Sequence, residues 1–139
     1  MRIHQEQFEI ATRGRGPVEI SGSIRGLLQP LQMSTGLCHL FCRHTSASLT
    51  ITENADPTVL HDLEGYLERS IPDGDPRYAH SMEGPDDMSA HIRSVLTGSG
   101  LTIPFSRGEL CLGTWQGVFL WEHRTRRHSR TVVVTFLGT

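Results

Sequence analysis

Apolar and polar positions alternate with a period of two over much of this chain and shift to a helical period in three places. That pattern predicts an α+β protein of roughly seven strands and three helices on an antiparallel or mixed β core. Residues 3 to 10 put His4, Glu6, Phe8 and Ile10 on one face, a polar strand suited to a sheet edge. Thr12 to Pro17 reads as a turn and Val18 to Ile20 as a brief strand. From about Ser23, the positions Ile24, Leu27, Leu28 and Leu31 make one helical stripe, with Pro30 as a kink or stop. Gly36 opens a strand with Cys38, Leu40, Cys42 and His44 on one face and Leu37, His39 and Phe41 on the other, as a central strand requires. His39 is then most simply structural. After Thr45 to Ala47 the alternation resumes with Leu49, Ile51 and Glu53 against Ser48, Thr50 and Thr52, and it fits a continuation or a hairpin's return arm equally well.

Asp56 before Pro57 is a helix start, because the carboxylate can cap first-turn amides and proline suits the first helical position. Val59, Leu60, Leu63, Leu67 and Ile71 supply the buried stripe of this second helix, and Pro72 ends it. Asp73 to Ser81 is a polar loop. A third helix is expected from about Glu83, with Met88, His91, Ile92, Val95 and Leu96 turned inward and Gly98 to Gly100 as its stop. Asp87 lies four residues before His91, within reach on one helix face. The remainder is β-rich: Leu101, Ile103 and Phe105 alternate, Arg107 and Gly108 form a tight turn, Leu110 and Leu112 alternate again, and Val118 to Trp121 and Thr131 to Leu137 are apolar strands.

At 139 residues the chain is the size of one domain. Its formal charge of −2 argues against a basic nucleic-acid binder. Residues 53 to 87 hold ten acidic groups against Arg69 and Arg77, while residues 88 to 139 hold six arginines against Glu109 and Glu122. A cationic group near the first region and an anionic one near the second suit that asymmetry. All thirteen basic residues are arginine, which excludes lysine Schiff-base chemistry and a P-loop lysine. Cys38, Cys42 and Cys111 form no CxxC pair and read as small residues of a reduced, cytoplasmic protein. No apolar run reaches signal-peptide or membrane-span length, so a membrane is not an expected partner, and the charge balance sets nucleic acid aside as well.

The candidate chemistry lies in histidines from separated elements. His44 ends a strand face, His80 sits in the loop before the third helix and His91 interrupts that helix's apolar stripe. Three imidazoles arriving this way can form three sides of a tetrahedral Zn²⁺ site, with water or substrate in the fourth position. Ordinary hydrogen bonding among partly buried histidines is the alternative. Glu53, Asn54 and Asp56 cluster at a strand-to-helix junction, where a carboxylate can act as general base and an amide can hold substrate. Gly113 to Gly117 brackets Thr114, Trp115 and Gln116 in a segment whose amides can cradle an anion or simply form a bulge. Arg124, directly after His123, is the best phosphate-gripping candidate.

Four ordered blocks, HTSASLTITENADPTVLHDLE at 44 to 64, EGPDDMSAHI at 83 to 92, LTIPFSRGELCLGTWQG at 101 to 117 and EHR at 122 to 124, resemble the YjbQ family, also called uncharacterised protein family 0047. The resemblance spans nearly the whole chain, although Ser89 stands where many relatives carry proline. It implies a sandwich-like β core, a homotrimer and a histidine-lined metal or anion site near subunit boundaries. It also implies a secondary thiamine-phosphate synthase activity joining a hydroxymethylpyrimidine pyrophosphate to a thiazole phosphate, with release of pyrophosphate. Carried over by motif, Glu53, Asp56 and His123 are the expected catalytic groups. Asn54, Glu83, Thr114, Gln116 and Arg124 are the expected substrate-binding groups. His44, His80 and His91 are the expected metal ligands. Their histidine content favours Zn²⁺, with Mg²⁺ the alternative for pyrophosphate chemistry. Metal-dependent hydrolysis of a small phosphorylated metabolite and noncatalytic binding of a small anion are the other two readings.

Overall fold

The computed structural model describes residues 1–139 and contains eight strands and three α-helices. Four longer strands and one short one form the larger sheet. Its spatial order is β1 (Arg2–Ala11), β8 (Ser129–Gly138), β3 (Thr35–Cys42), β5 (Gly100–Ser106) and β6 (Glu109–Leu110), with every pairing antiparallel. A three-stranded antiparallel sheet holds β2 (Gly16–Glu19), β7 (Gln116–Glu122) and β4 (Ala47–Glu53) in that order. The fold is therefore α+β with an antiparallel core. The strands apolar on both faces, β3 and β8, are interior to their sheet, and the polar β1 is at its edge.

The two sheets face each other across one apolar layer. Cys38, Leu40, Phe105, Val132, Val134 and Phe136 from the larger sheet meet Leu49, Val118 and Leu120 from the smaller, and Ile20, Ile24 and Leu28 at helix α1 (Ser21–Leu28) fill the same core. Each fully buried leucine or phenylalanine here contributes on the order of 1.5–3 kcal/mol. This core holds the sandwich together without any of the candidate site residues. Of the two roles open to Pro30 the stop is the one observed: α1 ends at Leu28 and Pro30 lies in a 3₁₀ turn, Gln29–Leu31, that closes the helix.

The ambiguity after His44 resolves as a corner. Residues Arg43 to Ser46 carry the chain from β3 in one sheet to β4 in the other, where β4 pairs with β7. The return strand expected after the Arg107–Gly108 turn is β6, shorter than the Leu110 to Leu112 alternation implied, and the two turn residues have the φ angles, 54° and 76°, of a two-residue hairpin turn.

Helices α2 (Pro57–Ser70) and α3 (Asp87–Thr97) lie on the outer face of the smaller sheet, where Leu67, Ile71 and Ile92 pack on Trp121. Asp56 caps α2 as expected, its carboxylate accepting from the Thr58 amide at 2.9 Å. The inward faces differ from expectation. On α2 only Leu67 is buried, and Leu63 and Tyr66 are exposed. On α3 the buried residues are Asp87, Ser89, Ala90 and Arg93, while Val95 and Leu96 are 83% and 69% exposed. The polar face turns inward because it finds hydrogen-bond partners there. Arg93 Nη1 donates to Glu64 at 2.6 Å, Ser94 to the Ala47 carbonyl at 3.2 Å and Thr97 to Ser48 at 2.5 Å. Glu64 also accepts from the Trp121 indole at 2.6 Å, tying α2, α3 and β7 together.

Candidate metal centre

The connection from Ile71 to Asp86 is too polar to bury, yet it is held in place at its neck. The Gly74 amide donates to the Pro85 carbonyl at 2.9 Å, and Asp73 accepts both arms of Arg15, at 2.8 and 2.9 Å, as well as the Ser89 hydroxyl. This loop presents His80, and the first turn of α3 presents Asp87 and His91 one turn apart on the same face. His80 Nε2 lies 2.7 Å and His91 Nε2 3.0 Å from the same oxygen, Asp87 Oδ2. One ligand atom from each residue falls within 4.8 Å of the others, a spacing that suits a shared metal ion.

Hydrogen-bond roles sharpen this geometry. His91 Nδ1 is 2.9 Å from the Thr45 carbonyl, which can only accept, so Nδ1 carries the proton. In the neutral ring the Nε2 lone pair then points at a carboxylate oxygen, and two acceptors face each other unless a proton or a cation lies between them. Orientation of an imidazole by a backbone carbonyl is also the usual outer support of a metal-ligating histidine. Two imidazole nitrogens and a carboxylate oxygen form a donor set that fits Zn²⁺ and similar divalent ions.

Asp87 itself is rigidly held. Its other oxygen, Oδ1, accepts from Arg124 Nη1 at 2.7 Å. Burial opposes its charge, but the His80 hydrogen bond and the neighbouring His91 and Arg124 outweigh that and keep the carboxyl below its usual range. Arg124 is in turn fixed by Asp86 at 3.0 Å and by the Glu83 carbonyl at 2.9 Å. Asp86 further accepts from the amide and hydroxyl of Thr125 at 2.9 and 3.1 Å. Arg124 and Thr125 hold the Asp86 carboxyl far below the usual carboxylate range, despite burial that works the other way.

Of the residues expected at the site, the structure joins His80 and His91, with Asp87 at the third corner. His44 is at the sheet-switching corner and lines a groove of about 390 Å³ together with Thr45, His91 and Ser94. Its Nε2 accepts from the Thr131 amide at 2.7 Å, so that lone pair is already occupied. Burial and the Arg130 guanidinium lower the pKa of His44. His123 is fully buried against Ser48, 2.8 Å from its hydroxyl, and burial followed by the charge of Arg93 pushes its pKa down to about 3. Glu83 contributes its backbone carbonyl to Arg124 rather than its exposed carboxylate.

Glu53, Asn54, Asp56, Thr114 and Gln116 lie at the other end of the smaller sheet. Ala47 pairs with Glu122 beside the trio and Glu53 pairs with Gln116, a separation of roughly 20 Å along β4. Glu53 accepts from the Asp56 amide at 3.3 Å and Asn54 donates to Glu19 at 3.2 Å. The Gly113 amide is bonded to the Gln116 side chain at 2.8 Å rather than left open for an anion. A Cβ at Gly117 would come within 2.8 Å of Asn54 Cβ and 2.9 Å of Glu19 Oε2, so the close approach there is to the chain itself.

Two functional-looking groups were not among the expected site residues. Asp87 was visible only through its i, i+4 relation to His91. Glu122, fully buried, accepts from Thr12 at 2.7 Å, from Arg130 Nε at 2.8 Å and from the Arg124 amide at 3.1 Å, and so anchors the strand end from which Arg124 leaves.

A two-sheet antiparallel sandwich with outer helices, carrying two histidines and an aspartate at one helix start, defines the class of protein. The family model described as UPF0047 protein YjbQ-like matches residues 6–139. The chain is 53% identical over 137 residues to the UPF0047 protein sll1880 of Synechocystis, covering 99% of this chain and 93% of that one. It is 40% identical over 136 residues to the UPF0047 protein YjbQ of Escherichia coli O157:H7, covering 97% and 98%. The solved structure of the conserved hypothetical protein TT1486 from Thermus thermophilus superposes with a TM-score of 0.85 at 39% identity, over 95% of this chain and 99% of that one. The chain belongs to the YjbQ family.

Proposed function

We propose that this chain is a metal-dependent enzyme acting on a small phosphorylated metabolite, with Zn²⁺ held by His80, Asp87 and His91. The observation that carries the reading is the convergence of His80 Nε2 and His91 Nε2 on one Asp87 oxygen, at 2.7 and 3.0 Å, with the His91 ring oriented by the Thr45 carbonyl. A bound divalent ion supplies Lewis acidity and lowers the pKa of a coordinated water. The chain's own residues do the positioning: Thr45 orients the His91 ring, Arg124 fixes Asp87, and the loop closed at Asp73 and Gly74 carries His80 to the Asp87 carboxylate. A nitrogen-rich donor set and an Arg124 already paired with carboxylates favour hydrolysis over transfer.

The thiamine-phosphate synthase reaction is the second reading. It is favoured by two separate grooves of about 390 Å³, one lined by His80 and the other by His91, room for two substrates. A homotrimer fits the same picture. The exposed Val95 and Leu96 of α3 and Leu63 and Tyr66 of α2 offer apolar surface for a second copy. That copy could bring its Glu53–Gln116 end to the trio, where Glu53 or Asp56 would serve as general base and Asn54, Thr114 and Gln116 would hold substrate. Three unpaired cysteines fit a cytoplasmic setting, and no helix is long and apolar enough to cross a membrane.

The test is release of phosphate or pyrophosphate by Zn²⁺-loaded protein. Release from the pyrimidine pyrophosphate alone supports hydrolysis, and release only when the thiazole phosphate is also present supports the synthase. Equal turnover by the parent, His80→Ala and Asp87→Asn would remove the trio from the chemistry.

A further inference from the structure

Arg124 reads from sequence as a phosphate grip, but its guanidinium is spent inside the protein. Nε donates to Asp86 Oδ2 at 3.0 Å, Nη2 to the Glu83 carbonyl at 2.9 Å and Nη1 to Asp87 Oδ1 at 2.7 Å. The side chain is only 14% exposed. Asp87 therefore shows both imidazoles a single oxygen, Oδ2, while its partner oxygen is locked from behind. Accepting the trio as the metal centre, we infer that Arg124 is a positioning residue that confines Asp87 to one-oxygen ligation. It thereby tilts the centre towards Zn²⁺ and away from larger ions that seek oxygen.

The physical basis is coordination chemistry. Ca²⁺ takes six to eight oxygen ligands and commonly both oxygens of a carboxylate, whereas Zn²⁺ is satisfied by four donors with nitrogen among them. An Asp87 free to rotate would offer Oδ1 as well as Oδ2. The Arg124 fork prevents that rotation, and Asp86 prevents Arg124 from leaving, because its carboxylate is itself held by the Thr125 amide at 2.9 Å. A lysine could not occupy these three acceptors in one plane.

The experiment measures affinities of Zn²⁺ and Ca²⁺ alone, by competition with a chromophoric chelator, for the parent, Arg124→Gln and the double variant Asp86→Asn/Arg124→Gln. The double variant removes the Asp86 carboxylate together with its Arg124 partner and covers the case in which the single one does not fold. The Zn²⁺ to Ca²⁺ affinity ratio should narrow by about tenfold in both variants as Asp87 gains a second ligand oxygen. The intense visible band of a four-coordinate Co²⁺ complex should weaken alongside it. A ratio unchanged within about twofold overturns the inference. So does an unchanged ratio with weakened binding of inorganic phosphate, which would return Arg124 to substrate. If His80→Ala and His91→Ala bind Zn²⁺ as tightly as the parent, the metal centre itself is refuted, an outcome separate from any result on Arg124.

Discussion

Replacing Glu122 with glutamine tests whether the strand end that launches Arg124 is held by a buried charge pair. The Glu122 side chain is 0% and that of Arg130 5% exposed, and Arg130 donates to both carboxylate oxygens. Glutamine keeps the shape but loses the charge and sets an amide NH₂ against the N–H donors of Arg130 or Arg124. Leaving one member of a buried pair uncompensated costs about 3–5 kcal/mol. For a chain of this length that lowers the melting temperature by about 10–17 °C. Circular dichroism during heating provides the assay, with Glu122→Gln/Arg130→Met as the control, and removing both charges should recover most of the loss. The pH dependence carries the same signature. Burial would raise the Glu122 pKa, but Arg130 and Thr12 hold it below the ordinary 4.5. Its stabilisation is thus complete above that value and is lost as the pH falls through the folded pKa, so the variant's acid-unfolding curve should be shallower. A Glu122→Gln protein melting within about 3 °C of the parent, or a double variant no better than the single, would refute the reasoning.

Other expectations follow from the same contacts. The pKa of His123 is about 3 when folded against 6.5 for the free side chain, so only the unfolded chain takes up this proton between those values. Stability measured in urea should therefore drop from pH 7.5 to pH 5, and His123→Gln should flatten the drop; equal slopes would contradict it. His44→Ala should leave Zn²⁺ affinity within about threefold but cost about 1–3 kcal/mol, because the Thr131 amide loses its acceptor. A large loss of metal affinity would restore His44 as a ligand. Gly117→Ala should cost about 1–3 kcal/mol by crowding Asn54 and Glu19, and a neutral melt would show that the contact yields.

How much of this was legible in the chain depends on whether a residue's partner is near in sequence. The Asp56 cap, the Arg107–Gly108 turn and the central strands β3 and β8 are local or periodic features, and the sequence reading anticipated them. The face of α3 was misread because periodicity treats Asp87, Arg93 and Thr97 as solvent-seeking. Tertiary partners on α2, β4 and the Arg124 segment satisfy them instead. His80 and His91 stood out as histidines interrupting a loop and an apolar stripe. His44 stood out in the same way, but its ring is occupied by an amide 87 positions away, which no local pattern signals. The distance between the Glu53 end and the trio follows from strand register, which alternation alone does not supply.

If His80, Asp87 and His91 share one metal ion, diffraction can locate it. Crystals grown with Zn²⁺ and measured on both sides of the zinc absorption edge test that sharing most directly. One anomalous peak per chain is expected, bonded to His80 Nε2, His91 Nε2 and Asp87 Oδ2, with the His91 Nδ1 bond to Thr45 retained and His44 outside the coordination sphere. A zinc peak centred elsewhere, or none while the three side chains keep their present arrangement, would contradict it.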